Sequence, residues 1–546
     1  MRRLVLLAEM AALLALIAAV VVFASPYDAP VAGYVPIEEL WAIEDERRES
    51  DAPLVTALTC NGAPLAYDAQ ENTFYCTLGL EHGEEWPQLR LSVPGAQGVT
   101  VCFADDYEYD RCADAVREGY SYELMAYTDS EYAYFNLVFT GLPLLCIETE
   151  GEIGGKDAQT VASVSISNWS EETALCANAL VNLRGDGSYY NEKKSYKLKF
   201  IRSCARQSSV LVDVPGMGGE KELLLLGMVS DPQMLRERLC WDMAALAPEQ
   251  RGAFSARRTQ YVEVFINGGY SGVYLMMEPY DVGEEISRAG AQAPMTDSLY
   301  RSFVSSMSKD RPYLSVDGCG SFELFHAPNE GRKFAALQPY LDLMGMDDGE
   351  FIRAAEEYLD LDSLLRYELL VQAMGLADNA GNNMYVWAHR EGGKIRYRFE
   401  LWDMDLSWDF DPGQEYDHWF VLPVHDRAVN LDAGGSRSRL RALWRQMRAG
   451  GFTAETVAQY VEAYAHELLD SGAYARNAAR WNVENAELNT DGLVWCARGR
   501  FEMLDLLTEA LCAQSGPMAF LNGEQEGNGY AVATGDVLAR LRQRQE

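Results

Sequence analysis

At 546 residues the chain is too long for one hydrophobic core, so two or three domains are expected. Apolar side chains make up 48% of the residues and aromatic ones 11%, which excludes wholesale disorder. With 46 basic and 82 acidic side chains the net charge is −36, and a surface of that charge repels nucleic acid and anionic lipid. Nucleic acid is therefore not an expected partner, whereas a nucleotide remains compatible where local basic residues and a metal ion offset the field.

The N-terminus carries the features of an export signal. Arg2 and Arg3 precede a nearly unbroken apolar run, Leu4–Ala24, which ends in an acceptable cleavage site before Ser25. About 20 apolar residues also suffice to span a bilayer. Residues 1–25 are thus predicted to be a signal peptide or a signal anchor, and both place the remaining chain outside the cytoplasm, secreted or membrane-anchored.

Eleven cysteines are scattered along the chain without a C-x-x-C pair, so the spacing of a zinc site is absent. In an exported protein some of them can pair, and the nearest candidates are Cys60 with Cys76 and Cys102 with Cys112. An odd total leaves at least one thiol free.

Residues 26–54 are predicted to form a linker or stalk with a short amphipathic helix at Ile37–Arg48. From residue 55 to 140, short apolar runs alternate with turn residues such as Asn61-Gly62. Strands that recur at this spacing are typical of an all-β sandwich. The stretch contains no evident catalytic set of residues.

Residues 141–282 are rich in strands and contain one helix that runs to Leu246. The runs VASVSISN, ANALVNLRG and SYKLKFI alternate as half-buried strands do, and Asn267-Gly268-Gly269 is a strong hairpin signal.

Four lysines stand close together in the third of these strands and just before it, at Lys193, Lys194, Lys197 and Lys199. Lys197 and Lys199 are two apart, hence on one face. Such a basic patch in an acidic chain suits a phosphate group, although a solvated strand face is the competing interpretation. Arg184 offers a planar fork for a phosphate or, equally, for an internal carboxylate.

The segment 283–350 carries no recognisable chemistry. Phe351–Met374 has the periodicity of a single helix and leads to Asp378. Three more helices are predicted, at Ser436–Ala449, at Ala454–Asp470 and around 493–514. Residues 516–546 are polar and Gly-rich and are predicted to form a flexible tail.

Asp378 precedes Asn383 by five residues, and a predicted hairpin then leads to Asp403 and Asp405. In protein kinases a base Asp lies five residues before a metal-binding Asn, and a metal-binding Asp follows a later strand. Carboxylate and amide oxygens suit Mg²⁺. Each residue taken singly is also a common turn residue.

Four segments together resemble the spore coat protein H (CotH) kinase family, over about residues 140–515. They are LRGDGSYYNEKKSYKLKF (183–200), LLLLGMVSDPQMLRERLCWDMA (223–244), YVEVFINGGYSGVYLMMEPYD (261–281) and DNAGNN…LWDMD (378–405). The resemblance implies an α+β chain in which the β-sandwich precedes an atypical protein-kinase-like domain, with a small lobe at 141–282 and a large lobe at 283–515. It also implies an enzyme that uses ATP with Mg²⁺ or Mn²⁺ to phosphorylate Ser or Thr of a secreted or surface protein.

The resemblance further implies roles for single residues. Asp378 would act as the catalytic base, and Asn383 with Asp403 or Asp405 would hold the metal. Phosphate-binding roles fall to Lys197 or Lys199 together with Arg184.

Two positions around the nucleotide follow from the same comparison. On the predicted helix, Arg236, Glu237 and Arg238 compete for the role of orienting the lysine, and Glu237 is the conventional choice. Glu278 would mark the hinge that meets adenine. After Asp405 the chain has Leu406-Ser407 where kinases usually have a glycine, which leaves open which Asp is the main ligand.

Two other functions are compatible with the sequence. One is a non-catalytic surface, adhesion or coat-assembly module of the same fold. The other is an exported glycan hydrolase that uses Asp403 and Asp405 as acid and base, for which the separation of the carboxyls would have to suit the reaction.

Overall fold

The computed structural model describes most of the chain. The described residues are 28–78, 89–105, 112–167, 174–248, 256–280, 297–303, 312–316, 320–328, 332–391, 393–408, 418–483, 488–513, 516, 531–534 and 538–539. Helices and strands contribute comparably, so the predicted α+β class is confirmed. No helix among these residues is long and apolar enough to cross a membrane, and the predicted export segment lies outside them.

The helices and strands are numbered in chain order. The helices are α1 (Ile37–Asp45), α2 (Cys112–Glu118), α3 (Arg236–Leu246), α4 (Gln338–Asp342), α5 (Asp348–Tyr358), α6 (Leu361–Met374), α7 (Pro423–Asn430), α8 (Ser436–Ala449), α9 (Ala454–Asp470), α10 (Ala473–Trp481) and α11 (Asp491–Ala513). The first strands are β1 (Ala29–Pro30), β2 (Ala32–Tyr34), β3 (Arg48–Glu49), β4 (Thr59–Cys60), β5 (Ala63–Pro64), β6 (Ala66–Asp68), β7 (Thr73–Thr77), β8 (Leu91–Val93), β9 (Thr100–Phe103), β10 (Ser121–Tyr127), β11 (Glu131–Thr140), β12 (Leu144–Thr149), β13 (Thr160–Ser167) and β14 (Leu175–Arg184). The later strands are β15 (Ser195–Ser203), β16 (Arg206–Ser209), β17 (Val212–Val214), β18 (Gly218–Glu220), β19 (Glu222–Leu226), β20 (Thr259–Ile266), β21 (Gly269–Met277), β22 (Ser298–Phe303), β23 (Tyr313–Val316), β24 (Gly320–His326), β25 (Tyr385–Glu391), β26 (Lys394–Glu400), β27 (His418–Phe420) and β28 (Ala531–Ala533).

The chain divides into two compact units, each built from three segments. Unit 1 comprises Met1–Val229, Thr259–Glu278 and Tyr464–Ala486, and unit 2 comprises Ser230–Arg258, Pro279–Ala463 and Glu487–Glu546.

The N-terminal part of unit 1 consists of two sheets on a shared core. A four-stranded sheet has the order β1-β8-β4-β5, and a second sheet has the order β2-β9-β10-β11-β7-β6 with β3 paired to β11. Alternate residues of both sheets, among them Leu91, Phe74 and Leu124, are buried in one hydrophobic cluster. Helix α2 lies within the part predicted as a β-sandwich, which therefore also contains helix. Helix α1 and strands β1, β2 and β3 come from residues 26–54, which were predicted to be a linker or stalk.

The rest of unit 1 is organised by a ring of strands. Neighbours in the order β14-β13-β12-β20-β21-β19-β15 pair in turn, and β14 pairs with β15 to close the ring. Alternate side chains of β15, at Tyr196, Leu198 and Phe200, are buried in the interior cluster. Because side chains alternate along a strand, Lys197 and Lys199 lie on its outer face.

Helix α10 packs on β21 in unit 1. A Cβ on Gly272 would lie 2.6 Å from Asn477 Oδ1, and Gly272 has φ +92°, so only glycine fits this close approach. Arg476 of the same helix donates from Nε and Nη2 to the two carboxylate oxygens of Glu263, at 2.9 Å each. Glu263 is fully buried, so its charge is compensated inside the protein.

Unit 2 contains a five-stranded sheet in the order β23-β24-β22-β25-β26. Its β22, β23 and β24 come from the segment 283–350, for which no role was predicted. β22 pairs directly with β25, and α6 packs on β26 and against α8 and α11. Strand β22 thus holds β25, and helix α6 holds β26, so both strands of the β25–β26 hairpin are supported.

The prediction of one helix over Phe351–Met374 is wrong at its middle. The chain forms α5 and α6 instead, because the Asp360 side chain accepts a hydrogen bond from the Ser363 amide and so begins a new helix. The Asp360 amide donates to Tyr397 O at 2.9 Å, which holds the break against β26.

Part of the predicted flexible tail is paired. β28 pairs antiparallel with β27, and Thr534 and Leu538 are buried. Most of residues 516–546 lie outside the described residues.

Candidate active site

A polar loop in unit 2 follows α6. Gly375 ends the helix at φ +64°, and a 3-10 helix then covers Asp378–Ala380. The Asp378 carboxylate accepts hydrogen bonds from Asn382 Nδ2 at 2.6 Å and from Asn383 Nδ2 at 2.7 Å. The Asp and Asn that the spacing singled out are thus in direct contact, and Asn382 joins them.

Three buried contacts hold this loop. Asn379 is fully buried, and its Nδ2 donates to Trp402 O at 2.8 Å. Tyr367 donates from its hydroxyl to Asn379 O at 2.9 Å, and the Asn383 amide donates to Ser302 O at 3.0 Å. The Asn379–Trp402 bond ties the Asp378 loop to the residue directly before Asp403.

Asp403 and Asp405 lie in the loop that follows β26. Asp403 has φ +55° and Asn383 has φ +59°, and both residue types tolerate the left-handed region. Trp408 has φ +56°, which is unusual for a bulky residue. Strained backbone of this kind persists only where the surroundings impose it, and it clusters at functional sites.

Burial and neighbouring carboxylates raise the pKa of two aspartates in this site, Asp405 and Asp378. Burial, followed by the negative charges of Asp403, Asp378 and Asp231, raises the pKa of Asp405 to about 7, against an opposing hydrogen bond with Ser230. Burial and Asp403 also raise the pKa of Asp378, although its two Asn partners and Arg301 act in the opposite sense. The site is therefore electronegative and would favour a bound cation.

Two side chains of helix α3 form hydrogen bonds to the loop that carries these aspartates. Glu237 accepts from the Met404 amide at 2.5 Å and from Trp241 Nε1 at 2.8 Å. Arg236 donates from Nε to Ser407 O at 3.2 Å and also pairs with Asp231 at 2.5 Å.

Burial raises the pKa of Glu237 to about 8, and the charges of Asp403 and Asp405 add to the rise. The contacts of Glu237 are thus with the aspartate loop and with its own helix. None of these contacts is with a lysine, so the role of Glu237 in orienting a lysine stays a prediction.

The donor set suits a hard cation. Asn383 uses its amide nitrogen on Asp378, which leaves its oxygen for another partner, and Asp403 and Asp405 add carboxylate oxygens. Within the described residues no group of three or more His, Cys, Asp or Glu side chains is placed to hold a metal ion by itself. Mg²⁺ in nucleotide sites is usually bound by one or two carboxylates together with phosphate and water oxygens, and the residues present fit that mode.

The basic residues predicted to bind phosphate belong to unit 1. Lys197 pairs with Glu222 on the neighbouring strand β19 at 2.7 Å. Lys199 is half-buried and has no ion pair or side-chain hydrogen bond with a described residue. Arg184 is the last residue of β14, opposite Ser195, and Glu278 directly follows β21.

The two other lysines of the run have structural partners. Lys193 is buried and donates to Val273 O at 2.6 Å and to Asn477 Oδ1 at 2.9 Å. Lys194 donates to Tyr189 O at 2.8 Å. Because both ammonium groups already have protein partners, neither lysine is a candidate for binding phosphate.

Sequence reasoning missed Asn382, Asn379 and the Asp231–Arg236 pair. The doubled Asn in DNAGNN was a signal for Asn382, because an Asp and a residue four positions on meet across one turn. The remaining contacts join segments distant in sequence and have no local signature.

The sequence was compared with models of known protein families. The CotH kinase protein family matches residues 181–491. The match covers more than half of the chain, so the chain belongs to the CotH kinase protein family, and a CotH-type kinase or a coat-related function is indicated. A search of curated proteins finds no match.

Proposed function

We propose that the protein is a metal-dependent kinase that transfers the γ-phosphate of ATP to a Ser or Thr hydroxyl of another protein. The observation that carries the proposal is the contact of Asp378 with Asn383 in an electronegative site that also includes Asp403 and Asp405. Phosphoryl transfer asks a protein mainly for positioning and charge neutralisation, so few groups are needed.

Asp378 receives the proton of the acceptor hydroxyl. Its carboxylate is held by the amides of Asn382 and Asn383, which fix the direction of its oxygens. Burial, together with the charge of the neighbouring Asp403, raises its pKa, so it is a better proton acceptor than a solvated aspartate.

Asn383, Asp403 and Asp405 would hold Mg²⁺ or Mn²⁺. The metal would supply positive charge to the phosphate oxygens when bound. The hydrogen bond from the Met404 amide to Glu237 keeps the backbone between the two aspartates in one conformation. Groups that orient metal ligands in this way commonly change metal affinity by 10- to 100-fold.

Within unit 1, Lys199 is the stronger candidate for binding an anion, with Arg184 as a second cation. Lys199 and Lys197 share the outer face of β15, but the Lys197 ammonium is already paired with Glu222. A lysine without such a partner has its full charge available for an anion. Glu278 remains the candidate for the adenine hinge.

The substrate is proposed to be a secreted or surface protein. The apolar run at Leu4–Ala24 supports export, as a cleaved signal or as an anchor. Enzyme, ATP and acceptor would then meet outside the cytoplasm.

The test is transfer of label from [γ-³²P]ATP to a Ser-rich protein acceptor by the full chain in Mn²⁺ or Mg²⁺. Asp378→Asn should abolish transfer. The matched control is Asp362→Asn, which removes an exposed carboxylate of α6 that pairs with Arg439 of α8, and it should leave transfer unchanged. Equal transfer by wild type and Asp378→Asn would refute the assignment of the base.

A further inference from the structure

Two cysteine side chains meet in the core shared by the N-terminal sheets. Cys60 belongs to β4 of the four-stranded sheet, and Cys76 belongs to β7 of the second sheet. They are 7% and 2% exposed and lie in the same hydrophobic cluster. The two side chains are hydrogen-bonded to each other, and both are free thiols in the structure.

The strand pattern explains why the thiols face each other. Cys60 is opposite Leu91 in the β4–β8 pair, and Leu91 is buried in that core. Cys76 shares its face of β7 with Phe74, which is buried in the same core. The intervening Tyr75 points the other way and stacks on Tyr270. Both thiols are therefore aimed into the space between the sheets by ordinary strand alternation.

The chain between them crosses from one sheet to the other. After Cys60 it turns at Asn61-Gly62 into β5, and then enters the second sheet at β6. A bond between the two sulfurs would close a loop of about 15 residues, a length at which a cross-link measurably restricts the unfolded chain.

We propose that Cys60 and Cys76 form a disulfide that joins the two sheets. The oxidant is a small-molecule disulfide or a protein thiol–disulfide oxidoreductase. One cysteine thiolate attacks a sulfur of the donor disulfide and releases one donor thiol. The second cysteine thiolate then attacks the mixed disulfide and releases the other donor thiol. The S–S bond of the donor breaks as that of the protein forms, two electrons pass to the donor, and the two protons of the cysteines end on its thiols.

The structure also supplies an internal comparison. Cys146 and Cys176 lie on β12 and β14, and both are opposite Ser165 on the strand between them. Adjacent strands are about 4.8 Å apart, so these two Cα atoms are roughly 10 Å apart. A disulfide needs Cα atoms within about 7 Å, so this pair is expected to stay reduced.

The other pair suggested by spacing was Cys102 with Cys112. The Cys102 thiol donates to Met125 O at 3.8 Å and belongs to a different cluster. The Cys112 side chain lies outside the described residues.

The test maps disulfides in the full chain refolded in a buffer of oxidised and reduced glutathione. After thiols are alkylated in denaturant, digestion without reduction should yield peptides joined through Cys60 and Cys76, and reduction should release both thiols. The double variant Cys146→Ser/Cys176→Ser should keep the cross-link. Cys76→Ser should lose it and leave Cys60 alkylated.

Oxidation should also raise the melting midpoint of the wild type by about 5 °C relative to the reduced chain. Alkylation of both Cys60 and Cys76 in the unreduced wild type, or a link from either to another cysteine, would overturn the proposal. The mapping needs no variant and no kinase activity, so it is independent of the proposed function.

Discussion

The buried Lys193 makes the stability of unit 1 depend on pH. Its ammonium lies 4.8 Å from the centre of the Tyr274 ring and donates to Val273 and Asn477. Burial lowers its pKa to about 7 from an ordinary 10.5. Between pH 7 and 10.5 the unfolded chain therefore binds more protons at this position than the folded chain does. The free energy of unfolding consequently rises with pH across that window.

The full slope is about 1.4 kcal/mol per pH unit. Since the folded lysine is about half deprotonated at pH 7, the gain from pH 7 to pH 9 amounts to about 2 kcal/mol. For a unit of this size that corresponds to a rise of roughly 4–8 °C in the melting midpoint.

The assay is thermal unfolding at pH 7, 8 and 9, followed by circular dichroism. Lys193→Met should lose the rise, because methionine does not titrate. Lys199→Met, on the outer face of β15, should retain it. A rise of the same size in Lys193→Met and in the wild type would show that Lys193 is not the titrating group, whatever the absolute stabilities.

Three further changes test other parts of the structure. Arg476→Met leaves the buried Glu263 carboxylate without its counter-charge and should lower the free energy of unfolding by about 3–5 kcal/mol in urea titrations. A loss below about 1 kcal/mol would show that Arg476 does not compensate the buried charge of Glu263. Asp378→Asn should reduce the rate of phosphoryl transfer at least 10²-fold while the Kd for ATP, measured by calorimetry, changes by no more than a few-fold; a parallel loss of ATP binding would mean that Asp378 acts elsewhere. Glu237→Gln offers only one acceptor oxygen for two N–H donors, one of them at Met404, so Mn²⁺ affinity should fall about 10-fold in the presence of ATP. An unchanged affinity would show that the hydrogen bond from Met404 to Glu237 does not position the metal-binding aspartates.

Local signals in the sequence were sufficient for many elements. The alternation in SYKLKFI gives β15 nearly to its ends, and the run at Glu222–Leu226 is β19 as it stands. The Asn267-Gly268 turn closes the β20–β21 hairpin, with positive φ at both residues. The spacing also singled out Asp378 and Asn383 as site residues, and the structure shows these two side chains at hydrogen-bond distance.

Features set by distant partners had no such signal. The apolar periodicity runs through Asp360 without interruption, and the helix breaks there because β26 accepts its amide. Lys193 reads as one member of a basic run, yet its burial depends on Asn477, 284 positions away. Glu237 reads as the helix residue that meets a lysine, whereas its acceptor oxygens are used by its own helix and by Met404, 167 positions away. A residue type and its spacing restrict what a side chain can do, but its partner is decided by the tertiary fold.

Transfer of the terminal phosphate of ATP to a protein hydroxyl can be measured with two labelled nucleotides. The full chain and a Ser-rich acceptor are incubated with Mn²⁺ and either [γ-³²P]ATP or [α-³²P]ATP, and the labelled residue is identified by mass spectrometry. We expect phosphoserine or phosphothreonine labelled from γ-³²P only, with the label lost in Asp405→Asn. Labelling from α-³²P, or no labelling from either nucleotide with the metal present, would rule out the proposed transfer.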